Sequence, residues 1–205
     1  AQQATQPPPA QAPPAQQAQP AGGNRGGVPV QGAEEDLPLV SRFDRNEDKV
    51  LDYGERTLAR QFLADHPELR RPAPARRINR TGTPGPKVAA NDVKPVPAGV
   101  PLYDPGTLRT LFLEFQHDDW EAELEAFYHT DVEVGAALTV DGKRYKDVGV
   151  SFRGNNSFTA VPPGLKRPLS LTIDFVHDQD LLGHRSLNLL NSNQDPTYLR
   201  SVLYL

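Results

Sequence analysis

Val134-Gly135-Ala136-Ala137-Leu138-Thr139-Val140 and Lys143-Arg144-Tyr145-Lys146-Asp147-Val148-Gly149-Val150-Ser151-Phe152 flank a single dipeptide, Asp141-Gly142. Both flanks carry the β-branched and aromatic residues that suit a pleated surface. Asp-Gly tolerates positive φ at both central positions of a two-residue turn, which makes it the strongest short-range hairpin signal. The stretch therefore predicts strands over 134–140 and 143–152. Working upstream, Leu108 to Phe115 reads as a strand and His117 to His129 as a helix. Asp118 is placed to cap that helix, and Trp120, Leu124 and Phe127 fall at i, i+4 and i+7 on one face. Downstream, Leu169 to Phe175 and Arg185 to Leu190 read as two more strands. A helix follows from Pro196, with Asp195 as N-cap and proline at its first position. Asp178 and Asp180 read as a turn. His117, His129, His177 and His184 lack metal-ligand spacing and read as surface residues. The pattern is α+β, with antiparallel strands plus helices, over residues 102–205.

The rest of the chain has a different texture. Of 21 prolines in 205 residues, eight fall in residues 1–40 and eight in 71–106, so the excess belongs to two segments. Residues 1–33 are Ala, Gln, Pro and Gly with almost no charge, too little apolar surface to offset chain entropy, and are expected to be a disordered tether. Residues 34–70 read as a small helical unit. Residues 71–101 read as a linker whose approach is basic: Arg70, Arg71, Arg76, Arg77, Arg80, Lys87 and Lys94 stand against two acids between 68 and 94. Such a linker is expected to be solvated, with weak contact to an anionic surface as the alternative. A net charge of −4 argues against a nucleic-acid binder, and no apolar run approaches the eighteen residues of a membrane span. The absence of cysteine excludes disulfides, thiol catalysis and Cys-based metal sites. The chain holds no methionine and opens on Ala1-Gln2-Gln3, as a signal peptide cleaved after a small residue would leave it. The expected location is extracellular or periplasmic. Leu199, Val202 and Leu203 give the last helix an apolar face, so the domain is expected to continue past Leu205.

Asp44-Arg45-Asn46-Glu47-Asp48-Lys49-Val50-Leu51-Asp52-Tyr53-Gly54-Glu55 has oxygen donors at positions 1, 3, 5, 9 and 12 of a twelve-residue loop, the spacing of an EF-hand. Calcium is a hard cation that takes six to eight oxygens. Asp44, Asn46 and Asp48 would supply side chains and Val50 its carbonyl. Asp52 would act directly or through water, and Glu55 would chelate with both oxygens. Leu51 sits where the loop's apolar anchor belongs, and Phe43, Leu58 and Phe62 supply the faces of a helix–loop–helix. Position 6, where the turn favours glycine, is Lys49; a side chain there costs on the order of 1 kcal/mol. The expected affinity is of the extracellular class, about 10⁻⁴–10⁻³ M. Residues 34–70 are too few to hold a core alone.

Within 102–205 the strand ending at Phe152 runs into Arg153-Gly154-Asn155-Asn156-Ser157, followed by Lys166-Arg167-Pro168 and a further strand. A polar loop and a lysine beside a strand are a weak phosphate-binding signal. The whole stretch resembles the spore-coat-H (CotH) family of atypical protein kinases. The resemblance is carried by Tyr103-Asp104-Pro105, by Asp119-Trp120, by Asp147 to Asn155, by Lys166 to Leu171, by Gly183 to Asn191, and by Asp195 to Arg200, in the family's order over about half the chain. Many members carry Glu after the arginine of the last motif, where this chain has Ser201. The resemblance implies the N-terminal portion of a kinase-like fold, preceded by an EF-hand, that binds ATP and Mg²⁺ or a similar divalent metal and phosphorylates a protein acceptor. It implies that Arg153, Asn155, Ser157 and Lys166 lie near the nucleotide, with Lys166 as phosphate partner, and that the metal-binding and base carboxylates lie beyond Leu205. The alternative is a calcium-stabilised surface or binding protein that keeps the fold without activity.

Overall fold

The computed structural model describes residues 36–70, 83, 85–94 and 96–192. The Pro/Gln tether, the Arg71–Arg80 part of the basic linker and the helix from Pro196 lie outside the described residues. Residues from Asp36 onward belong to one compact unit.

A five-stranded antiparallel meander forms the centre, in the order β1-β2-β3-β4-β5: β1 Leu111–Phe115, β2 Val134–Val140, β3 Lys143–Phe152, β4 Leu169–Thr172 and β5 Ser186–Leu189. The central hairpin has the expected bounds. Asp141 and Gly142 take φ of 50° and 78°, the paired positive values that let a two-residue turn match the twist of its strands. Along β2, alternate residues Val134, Ala136, Leu138 and Val140 point into the core while Gly135, Ala137 and Thr139 face outward. On β3 the buried residues Tyr145 and Val148 are three apart instead of two. The register shifts between Ala136 and Leu138 to absorb the extra residue, a β-bulge, and Asp147 takes φ 50° within it.

The other strands are shorter than their sequence implies. Leu111 already pairs with Val140, the last residue of β2, so Leu108 to Thr110 have no cross-strand partner. Leu108 is 93% exposed, and Arg109 turns its guanidinium to the carbonyls of Val100, Pro101 and Leu102 and to the Asp141 carboxylate. At the far end, Phe175 leaves the ladder to lie over Gly149, and Leu190 projects to solvent.

Among the described residues four α-helices accompany the sheet: α1 Val40–Phe43, α2 Tyr53–Asp65, α3 Trp120–Ala126 and α4 Asn156–Thr159. The helix expected over 117–129 is thus seven residues long. Its N-cap is Asp119, not Asp118, and no side chain caps it, because the Asp119 carboxylate is taken by Arg60 of α2 at 2.7 Å. The Arg60 hydrogen bond holds that carboxyl below its usual range. Leu124 and Phe127 are buried, and Trp120 stacks on Phe115 at 4.5 Å, as the periodicity implies. His117 is a correction: it is not a surface residue, since its ring stacks on Tyr53 at 3.8 Å and its Nε2 is buried without a hydrogen-bond partner.

Residues 36–70 do not stand apart. Leu39, Leu51, Ala59 and Leu63 join the same apolar core as α3 and the inner face of the sheet. The Asp131 carboxylate, just past α3, accepts the Leu39 and Val40 N–H groups at 2.7 and 3.1 Å, and Leu37 bridges to Thr130. The core that 34–70 are too short to supply is borrowed from the sheet. No helix among the described residues is long and apolar enough to cross a membrane.

Candidate functional site

The acidic loop between α1 and α2 closes on its own carboxylates. Asp44 accepts the Glu47 and Lys49 N–H groups, one on each oxygen, at 2.7 and 2.8 Å. Asn46 Oδ1 accepts the Asp48 N–H at 3.2 Å and its amide donates to Asp48 Oδ2 at 2.9 Å, while Asp48 Oδ1 accepts the Val50 N–H at 2.8 Å. Glu47 and Lys49 take φ of 62° and 68°. Lys49 therefore adopts the left-handed turn that glycine usually supplies at that position, as its place in the loop implies. Leu51 is buried, which pins the loop to the core. Phe43 and Phe62 pack at 5.5 Å across the two helices, whereas Leu58 is 40% exposed and faces away.

Asp52 and Glu55 cap the following helix. Asp52 is the N-cap of α2 and accepts the Glu55 N–H at 2.8 Å, while Glu55 Oε2 accepts the Asp52 N–H at 2.9 Å. This is a reciprocal capping box, which satisfies two otherwise orphaned donors at the helix start. Glu55 Oε1 accepts the Arg45 N–H at 2.7 Å, so both oxygens of this buried carboxylate are held by backbone. The donor set is all oxygen and largely anionic, which fits a hard divalent cation. Among the described residues no three His, Asp or Glu side chains are gathered closely enough to hold a metal as the loop stands.

The loop is tied to the sheet through α3. Arg56 donates Nη1 to the Leu51 carbonyl and Nε to Glu123 of α3, both at 2.8 Å, and the Arg56 and Glu123 side chains are 8% and 1% exposed. On the other side of α3, Glu125 and Glu121 hold Arg167 at 3.1 and 3.7 Å. The arrangement follows from helix geometry. Glu121 and Glu125 are one turn apart and share a face, while Glu123 is rotated about 200° from each. Sequence reasoning missed both arginines and Glu123. The alternating Glu121, Glu123, Glu125 spacing is the signal that could have found them.

The second set of expected residues is spread along the 153–167 segment. The Arg153 N–H donates to the Pro168 carbonyl at 3.2 Å, and Asn155 Oδ1 and Nδ2 lie on an exposed residue whose carbonyl accepts from Phe158, Thr159 and the Thr159 hydroxyl as α4 begins. Gly154 takes φ 74°, and its carbonyl accepts the Tyr128 hydroxyl; the Ser157 carbonyl accepts the Asn191 amide at 2.8 Å. The buried cation here is Arg167, 2% exposed at its side chain, with Phe158 and Phe152 ring centroids 4.8 and 5.4 Å from its guanidinium carbon. Lys166 is exposed, on the rim of an apolar recess of about 290 Å³ with Trp120, Phe152, Leu189 and Leu190. Arg153, Asn155 and Ser157 do not line that recess.

One further carboxyl is perturbed. Glu133 is pushed above the usual glutamate range by burial, opposed by a 2.8 Å hydrogen bond from the Thr172 hydroxyl and reinforced by nearby Asp174. It sits against Gly149, where an added Cβ would lie 2.5 Å from Glu133 Oε2 and 2.8 Å from the Phe175 ring, so only glycine fits. No family model, no curated protein and no solved structure matches this chain.

Proposed function

We propose that residues 44–55 form an EF-hand calcium site built onto the N-terminal portion of an exported CotH-type protein kinase domain. The observation that carries the calcium reading is the backbone of the loop. Lys49 holds φ 68° and its N–H meets Asp44, so the turn that position 6 must make is formed without glycine. Asp44, Asn46, Asp48, the Val50 carbonyl, Asp52 and Glu55 would hold the ion. A bound calcium would supply a fixed double charge that draws these oxygens together. Glu55 has the largest part, since it can offer two oxygens at once.

The kinase reading rests on the sequence motifs and on an α+β unit with an antiparallel sheet, which is compatible with it. Under that reading Lys166, Arg153, Asn155 and Ser157 would serve ATP and its divalent metal, and Lys166 would neutralise phosphate charge as a point cation. Arg167 would fix the segment in place through Glu121 and Glu125. The protein phosphoacceptor is open. A second reading, a calcium-stabilised binding module without phosphoryl transfer, is favoured by one observation: the recess that Lys166 rims with Trp120, Phe152, Leu189 and Leu190 is not lined by Arg153, Asn155 or Ser157.

Glu55→Gln tests the calcium reading when its stability in chelator is measured alongside: the one amide oxygen of glutamine can keep the capping-box bond to the Asp52 N–H, while the Arg45 N–H bond and the carboxylate charge are lost. Calorimetry on the 205-residue chain should show calcium binding at about 10⁻⁴–10⁻³ M, weakened at least tenfold in Glu55→Gln. Equal heats from the two proteins, or none at millimolar calcium, would refute the site.

A further inference from the structure

The two halves of the loop at 44–55 are held in different ways. The first half is closed from within: the side chains of Asp44, Asn46 and Asp48 accept N–H groups of the loop itself. The second half is held from outside at Leu51, position 8 of the loop. The Leu51 side chain is buried in the core, and its carbonyl accepts Arg56 Nη1 at 2.8 Å. This bond closes a ring of chain from Leu51 to Arg56 that contains Asp52 and Glu55 and adjoins Val50. Peptide groups are planar, so a Leu51 fixed at both side chain and carbonyl restricts the Val50 carbonyl before it and the Asp52 backbone after it. Val50, Asp52 and Glu55 therefore come under the control of one guanidinium that is not itself a ligand.

Arg56 does not hold that aim unaided. An arginine side chain has many rotamers, and an untethered guanidinium would sample them. Here Nε donates to Glu123 of α3 at 2.8 Å, with both side chains buried. The guanidinium is planar, so fixing Nε also fixes the direction of Nη1. Glu123 further neutralises a positive charge that would otherwise stand unpaired beside the loop that a dication must enter. We propose that Arg56, oriented by Glu123, is a positioning residue for calcium: it sets the backbone that carries Val50, Asp52 and Glu55 before the ion arrives. The proposal rests on the calcium reading of residues 44–55. Preset ligands spare the ion the cost of ordering the loop, and groups that orient metal ligands commonly change metal affinity about 10–100-fold when removed.

Calcium calorimetry on the 205-residue chain, with a urea midpoint in chelator for each variant, separates positioning from stability. Arg56→Met with Glu123→Leu installs an apolar pair of similar volume, which recovers stability but offers the Leu51 carbonyl no donor. The folded double variant should bind calcium about tenfold more weakly than the unaltered chain. Arg56→Lys keeps the charge and loses the planar fork, and should weaken binding about threefold; it decides the matter if the double variant does not fold. Asp119→Ala removes the exposed pair with Arg60, which joins the same two helices one turn further along α2, and should leave the affinity unchanged. The proposal is overturned if the folded double variant or Arg56→Lys binds calcium as the unaltered chain does. It is also overturned if Asp119→Ala weakens binding as much as they do, since any link between α2 and α3 would then serve. No calcium heat from the unaltered chain at millimolar calcium would refute the calcium reading itself, and this proposal with it.

Discussion

Replacing Glu123 by alanine should be among the most damaging single changes in this protein. Glu123 is 1% exposed and meets the Arg56 guanidinium at 2.8 Å, itself 8% exposed. Without the carboxylate, Arg56 keeps the Leu51 carbonyl but leaves Nε and its charge in the interior. Breaking a buried pair from one side costs about 3–5 kcal/mol, because the remaining charge is uncompensated. A domain of this size has a total stability of about 5–15 kcal/mol, so a fifth or more would be lost. The neighbouring pair Arg60–Asp119 has nearly the same length, 2.7 Å, but its side chains are 29% and 46% exposed. Asp119→Ala should therefore cost no more than about 1 kcal/mol. Urea unfolding would be followed by the fluorescence of Trp120, the only tryptophan in the chain, which lies in α3 itself. The midpoint should fall sharply for Glu123→Ala and barely for Asp119→Ala, with similar slopes. The double change Arg56→Met with Glu123→Leu should recover most of the loss, since an apolar pair of similar volume removes the stranded charge. Equal midpoints for the two alanine variants would refute the claim that burial gives the Arg56 pair its weight.

Three further outcomes follow from the same contacts. Lys49→Gly should raise stability or tighten calcium binding by about 0.5–1 kcal/mol, because Lys49 occupies φ 68°; a loss of affinity in calorimetry would contradict the strain argument. Glu133, raised by burial, favours its protonated form in the folded state, so between its unfolded and folded pKa the folded chain holds more protons and stability falls as pH rises. Urea midpoints from the ordinary glutamate range up to neutral pH should decline, and Glu133→Gln should flatten that decline; parallel pH profiles would contradict it. Lys166→Ala should weaken binding of ATP with a divalent metal more than Lys143→Ala, whose ammonium lies over the Tyr145 ring at 4.5 Å; equal ATP affinity in the two variants would make Lys166 structural.

What was legible in the sequence was local. The Asp141-Gly142 hairpin gave its own bounds because turn chemistry and alternation act over neighbouring residues. The loop at 44–55 was legible for the same reason, down to the left-handed Lys49 and the buried Leu51. Strand ends were less so: β1 stops where β2 runs out of partners, a fact about register and not about Leu108 to Thr110. The ion pairs were not legible, because Arg56 meets Glu123 across 67 residues of chain and Arg167 meets Glu125 across 42. Local periodicity says nothing about such partners. His117 was misplaced for a related reason: the Tyr53 ring that covers it comes from a helix far away in sequence.

The central claim is that the loop binds calcium and, through Leu51 and the Arg56–Glu123 pair, stabilises the sheet onto which it packs. Thermal unfolding of the 205-residue chain, read at Trp120 with chelator and then with 10 mM calcium, tests it directly. With a dissociation constant near 10⁻⁴ M, this concentration would contribute about 2.7 kcal/mol to the folded state, a rise of several degrees in a single transition. Glu55→Gln should lose most of that rise. A melting temperature that ignores calcium, or that rises equally in Glu55→Gln, would contradict the account.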